Sequence, residues 1–215
     1  MSFLYGAYVV ECTHKIFKEA FMQRTSSRYI AGVGILAALV IVLQAIATFI
    51  QFGPFVITLA LVPIVIGAAL FGVKAGAILG GMFGIVVLIA TITAADPGAH
   101  MLWIANPIAT ALVILLRGIL AGAAAGCVYG WVAKKNKYVG VVAAAIICPI
   151  VNTGVFLAAM YFIFPSFLAL WADGAHTVYF LLVGLAGINF LVELVINMVC
   201  SPAIVRIIHI GKTTR

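Results

Sequence analysis

Charge is what this chain lacks most: charged residues make up 8% of its 215 positions, against about a quarter in an ordinary soluble domain. That scarcity excludes a solvated globular surface. The catalytic signatures are missing too. There is no HExxH, no GxSxG and no phosphate-binding GxxxxGK[ST]. Serine occurs only at Ser2, Ser26, Ser27, Ser166 and Ser201, outside the apolar runs or at their ends, which excludes an intramembrane serine protease. Asp96 and Asp173 fall in loops, where an aspartyl protease of that kind would need them at depth. The four histidines are far apart, so neither a metal site nor a cofactor is expected. Cys12, Cys127, Cys148 and Cys200 form no CxxC pair and read as small packing residues. No soluble basic domain exists to bind nucleic acid.

What fills the space is apolar: 66% of the residues are hydrophobic and mean hydropathy is +1.31. A core of this size cannot hide so much apolar surface, whereas a bilayer accepts runs of about 20 residues as single helices. Six runs can be drawn, at 29–51, 55–73, 75–95, 104–133, 138–164 and 177–208. The expected fold is therefore all-α, a polytopic bundle of six transmembrane helices. It comprises an N-terminal segment over 1–28, one membrane domain over 29–208 and a tail over 209–215.

Orientation follows from the basic residues. Eleven of the twelve Lys and Arg fall at segments sharing one side: Lys15, Lys18, Arg24 and Arg28, then Lys74, then Lys134, Lys135 and Lys137, then Arg206, Lys212 and Arg215. The loops on the other side hold none. The positive-inside rule then makes both termini cytoplasmic and the protein a multi-pass resident of the cell membrane. Ala45-Ile46-Ala47 mimics a signal-cleavage site, but Glu11 and Glu19 in the leader and an apolar run continuing to Phe52 argue against cleavage.

Glycines recur every fourth residue at Gly76, Gly80 and Gly84 and at Gly118, Gly122, Gly126 and Gly130. Residues four apart share a helix face, so each set makes a groove for close helix approach, expected inside the bundle. Gly34 and Ala38 form a shorter version in the first run, open to either an internal or a partner contact.

The twelfth basic residue, Arg117, sits at depth. Counting along the helices puts Arg117, Asn152 and Asn189 near the midplane, with Asn189, Glu193 and Asn197 on one helix face. A charge there costs at least ~2.5 to 3.5 kcal/mol, so Arg117 and Glu193 should face the interior. Two readings stay open: an Arg117–Glu193 ion pair that locks the helices, or a polar floor beneath a ligand. Above this layer the outer side supplies Gln44, Gln51, Phe52, Trp103, Asn106, Trp171, Asp173, His176 and Tyr179. Aromatic walls with a few placed polar groups suit a pocket; Trp171 and Tyr179 equally suit interface anchors.

Several stretches are familiar as a set: Phe52-Gly53-Pro54-Phe55, the run over 64–72 leading into 75–80, Arg117-Gly118-Ile119-Leu120-Ala121-Gly122, Cys148-Pro149-Ile150-Val151-Asn152-Thr153-Gly154, and Asn189-Phe190-Leu191-Val192-Glu193. Over about 29–208 the chain resembles the substrate-binding S component of energy-coupling factor (ECF) vitamin transporters. The resemblance implies a bacterial plasma-membrane subunit that is not an enzyme. Such a subunit captures a vitamin from outside and works with a membrane coupling subunit and two cytoplasmic ATPases. It places substrate-binding residues at Gln51, Phe52, Trp103, Asn106, Asn152 and Asn189, with Arg117 at the base, and a coupling-subunit contact at Gly34 and Ala38. The family form of that contact has alanine at both positions. Because Arg117 suits a carboxylate, the vitamin expected first is an acidic one such as pantothenate, with riboflavin, folate and cobalamin open. An ion-coupled secondary carrier using Arg117 and Glu193, and a non-transporting scaffold, are the competing functions; the lack of an inverted repeat argues against the carrier.

Overall fold

A backbone that enters lipid has to satisfy its N–H and C=O groups within its own segment, and apolar runs therefore fold as helices. The computed structural model describes residues 27–48, 51–52, 55–56, 58–172 and 187–213. Within them the helices are α1 (Ser27–Thr48), α2 (Leu61–Phe71), α3 (Val73–Ile92), α4 (Pro97–Ala105), α5 (Pro107–Val132), α6 (Lys137–Phe162), α7 (Pro165–Ala172) and α8 (Gly187–Thr213). One two-residue antiparallel pair joins β1 (Gln51–Phe52) to β2 (Phe55–Val56), with Gln51 opposite Val56 and Phe52 opposite Phe55. The N-terminal segment before Ser27, together with Asp173, His176 and Tyr179, lies outside the described residues.

Four helices are long and apolar enough to cross a membrane: Tyr29–Thr48 within α1, then α3, α5 and α6. Phe190–Pro202, within α8, is a shorter apolar stretch. The second expected span, 55–73, takes a different form. Its first residues pair back as β2, and only the 11 residues of α2 are helical, a rise of about 16 Å against a hydrocarbon core of about 30 Å. Helix α2 is instead wrapped by neighbours: Leu61, Ile64, Val65, Ile66, Ala68 and Ala69 are all buried, and α1, α3, α5, α6 and α8 all touch it. It is the centre of the bundle rather than a lipid-facing span.

Local chemistry sets the helix boundaries. Gly72 adopts φ 85°, a left-handed value open to glycine, and so turns the chain sharply from α2 into α3. Helices α4 and α5 each begin with a proline behind a capping side chain: Asp96 accepts the Ala99 N–H at 3.1 Å and Asn106 accepts the Ala109 N–H at 3.1 Å. Asn136 caps α6 through the N–H groups of Tyr138 and Val139.

The glycine grooves meet each other. A Cβ on Gly76 would strike the Gly122 carbonyl, one on Gly80 the Gly118 carbonyl, and one on Gly126 the Val73 backbone. Helices α3 and α5 thus touch backbone to backbone, as the four-residue spacing predicts. Gly130 falls past the contact, and Gly34 likewise has nothing within 4 Å. The outward faces carry Ile35, Leu39, Ile78, Ile85, Leu112, Leu116 and Val199, all exposed. Such a surface fits lipid, not water.

Overpacking the α3–α5 seam has a direct cost. Gly80→Ala is expected to destabilise the bundle by about 1–3 kcal/mol, whereas Gly34→Ala should change stability by less than about 0.5 kcal/mol. Thermal unfolding of both variants in detergent checks the contrast.

Candidate functional site

Helix α5 brings Thr110, Val113, Ile114 and Arg117 onto one face at helical spacing, and α6 does the same with Asn152, Phe156, Ala159 and Met160. These faces enclose a cavity of about 70 Å³, closed further by Thr58, Asp96, Leu102, Phe164 and Glu193. On this measure one water needs about 10–15 Å³, so the hollow holds several water-sized groups. Arg117 lies ten residues into α5, about 15 Å from its start.

Arg117 has aromatic company. Its guanidinium carbon stands 5.9 Å from the Phe83 ring centre and 5.5 Å from that of Phe156, a cation–π arrangement that shields the charge from lipid. Asp96 and Glu193 both act on it through space, yet no direct ion pair joins Arg117 to Glu193: the carboxylate Oε1 accepts the backbone N–H of Thr58 at 3.3 Å instead. Asn152 and the Thr58 side chain are further hydrogen-bonding neighbours of that carboxylate. Farther along α8, Asn197 Nδ2 donates to the Glu193 carbonyl at 2.8 Å and Ser201 Oγ to the Asn197 carbonyl at 2.9 Å. These two donors are satisfied within their own helix, while Asn197 Oδ1 is left without a partner.

The cavity wall is different. Arg117 Nε, Glu193 Oε2, Asn152 Oδ1 and Thr110 Oγ1 are buried without a hydrogen-bond partner, although buried polar atoms are nearly always paired. Among the described residues only Gln44 Oε1 and Asn197 Oδ1 share this condition elsewhere. Unmet polar capacity is thus concentrated around one hollow. The arrangement offers hydrogen bonds and aromatic faces to a small molecule. Among the described residues no group of three His, Cys, Asp or Glu is placed to hold a metal ion.

The residues expected at the site separate into three sets. Arg117 and Asn152 line the cavity, with Glu193 beside them. Trp103 is half-buried and Asn106 exposed, neither in the wall; Asn106 uses its side-chain oxygen as the α5 cap. The backbone positions of Gln51, Phe52 and Asn189 belong to β1 and α8, while their side chains, like that of Trp171, lie outside the described residues. Asp96, Thr110, Phe156 and Met160 join the wall without having been expected there. Only the seven-residue step from Thr110 to Arg117 and the four-residue step from Asn152 to Phe156 pointed to any of them.

Asp96, in the link between α3 and α5, shows the strain of burial: desolvation raises its carboxyl above the ordinary aspartate value. The Ala99 N–H, the Arg117 charge and the Gly98 N–H pull it back only in part. His100 Nδ1, 2.8 Å from the Thr91 carbonyl oxygen, ties the same link to the end of α3.

Together these features define a multi-pass α-helical membrane protein with a cavity between its helices, lined by polar and apolar side chains. The sequence matches the family model of the ECF transporter substrate-specific component over residues 28–205, and the chain belongs to that family. It is accordingly a membrane transporter subunit and not an enzyme, working with ECF module components on a small-molecule substrate. No curated protein matches the chain.

A raised carboxyl pKa favours the protonated fold, so the cost of Asp96 is present at neutral pH and relieved as pH falls through the raised value. Asp96→Asn keeps an oxygen for the Ala99 cap. It should therefore be more stable than the parent at neutral pH, with the difference disappearing below the ordinary aspartate range. Thermal unfolding across a pH series in detergent reads this out.

Proposed function

We propose that the chain captures a water-soluble vitamin or related micronutrient from outside the cell in the cavity between α4, α5, α6 and α8. It then delivers this cargo through an ATP-driven ECF transporter whose coupling subunit and two cytoplasmic ATPases supply the energy. The observation that carries the reading is the cluster of four unpartnered buried polar atoms around one hollow. A bundle with no cargo would gain by replacing such atoms with apolar ones. Arg117 and Glu193 staying apart favours a ligand-facing role over a self-neutralising staple. Six membrane segments, with α2 as the short buried one, and both termini cytoplasmic make up the topology proposed, on the one-sided placement of the basic residues.

Within this reading Arg117, Asn152, Glu193 and Thr110 contact the cargo directly. Gln51, Phe52, Trp103, Asn106 and Asn189 belong to the segments around it. Gly34 and Ala38 form the contact for the coupling subunit, supported by their shared exposure on the outer face of α1. Pantothenate, expected from Arg117 alone, has less to recommend it once Asp96 and Glu193 stand around the same guanidinium.

The test is mass spectrometry of small molecules released from protein purified from cells in rich medium, where a stoichiometric vitamin is expected. Asn152→Ala should lower affinity for it by at least about tenfold, the loss of one or two hydrogen bonds to a buried ligand. Release of no ligand, with unchanged behaviour of Asn152→Ala, would overturn capture in this cavity. Gly34→Leu with Ala38→Leu is expected to keep ligand binding and abolish co-purification with the coupling subunit; normal assembly of that variant removes α1 from the interface.

A further inference from the structure

The free atoms in the cavity wall have a definite polarity. Glu193 Oε2 and Asn152 Oδ1 accept hydrogen bonds, Arg117 Nε donates one, and Thr110 Oγ1 does either. The Asn152 amide neighbours the Glu193 carboxylate, and an amide that turns its NH₂ group to a carboxylate leaves its oxygen for the hollow. A complementary ligand therefore brings at least two N–H or O–H donors to one side and one acceptor to the other.

Charge narrows the class further. The wall holds one cation and two carboxyl groups, and both Asp96 and Glu193 act on Arg117. An added carboxylate would have to compete with two carboxyl groups that already act on the one cation. Shape points the same way. The rings of Phe83 and Phe156 stand 5.9 and 5.5 Å from the guanidinium carbon, and the unpartnered Nε–H lies in the guanidinium plane and takes an in-plane acceptor. Phe156, Phe164 and Met160 offer flat or pliable apolar walls.

We propose that this cavity selects an uncharged, planar cyclic amide or amino-heterocycle, with ring N–H groups on Glu193 and Asn152 and a ring carbonyl or nitrogen on Arg117 Nε, and discriminates against carboxylates. The proposal rests on the capture reading above and names the chemical class of its cargo.

Matched probes isolate the charge: uracil against orotate and pterin against pterin-6-carboxylate, each titrated into the full chain in nanodiscs. In every pair that binds, the uncharged member should bind at least about tenfold tighter. Thr110→Val removes a buried hydroxyl that has no partner in the empty chain. It should leave the unliganded melting temperature unchanged or higher while weakening the bound heterocycle severalfold. Equal or tighter binding of the carboxylate member, or no binding by any uncharged probe, overturns the selectivity. A carboxylate that binds well leaves vitamin capture standing. Capture itself fails separately, if protein purified with its ECF partners releases no small molecule and drives no ATP-dependent uptake.

Discussion

A guanidinium carried about 15 Å along a membrane-spanning helix has to be kept from lipid, and much of the bundle's internal arrangement answers that constraint. Leaving Arg117 uncovered would cost at least ~2.5 to 3.5 kcal/mol. Two rings, two carboxyl groups at a distance and a ring of apolar neighbours surround it. Full pairing with Glu193 would have been the simpler solution. The carboxylate instead takes the Thr58 N–H, which ties the segment following β2 to α8 and leaves both of these cavity-lining residues with an unpartnered atom.

This placement depends on three consecutive residues of α5. Successive helix positions turn by 100°, so Leu116, Arg117 and Gly118 look in three directions. Leu116 is exposed toward lipid, Arg117 lines the cavity, and Gly118 lies against the backbone of Gly80. The glycine seam has a role beyond packing. By letting α3 approach α5 backbone to backbone, it brings Phe83 over the guanidinium and fixes the rotation of α5 about its own axis. A side chain at Gly118 or Gly80 would push the helices apart and turn the charged face.

Much of this was legible in the residues. Apolar length gave the helical membrane class, four-residue glycine spacing gave the α3–α5 contact, and counting depth brought Arg117 and Asn152 to one layer, with Glu193 one helical turn beyond Asn189. What the residues left open has physical causes. Apolarity alone does not separate a helix facing lipid from one buried inside a bundle, so the central burial of the 11-residue α2 could not be read from its residues. An Asn before a Pro is a helix start as readily as a ligand contact, and Asn106 is spent on its cap. Thr110 carries no distinguishing mark in the sequence; only the face it shares with Arg117 gives it meaning. Asp96 read as a loop residue because burial of a loop carboxyl depends on how α4 folds back, which no local pattern encodes.

The described structure also separates two surfaces on different helices. The cavity draws on α4, α5, α6 and α8 with Thr58 and Asp96, while the small-residue face of α1, with Gly34 and Ala38, looks outward. Helix α2 stands between them, buried on nearly every side and touching α1 as well as α5, α6 and α8. A close-packed helix with no free face cannot shift alone, because its neighbours have to repack with it. Any displacement of the cavity helices is therefore felt at α1 through α2, by contact rather than by charge. That mechanical continuity links the cavity to the exposed face of α1 by packing alone.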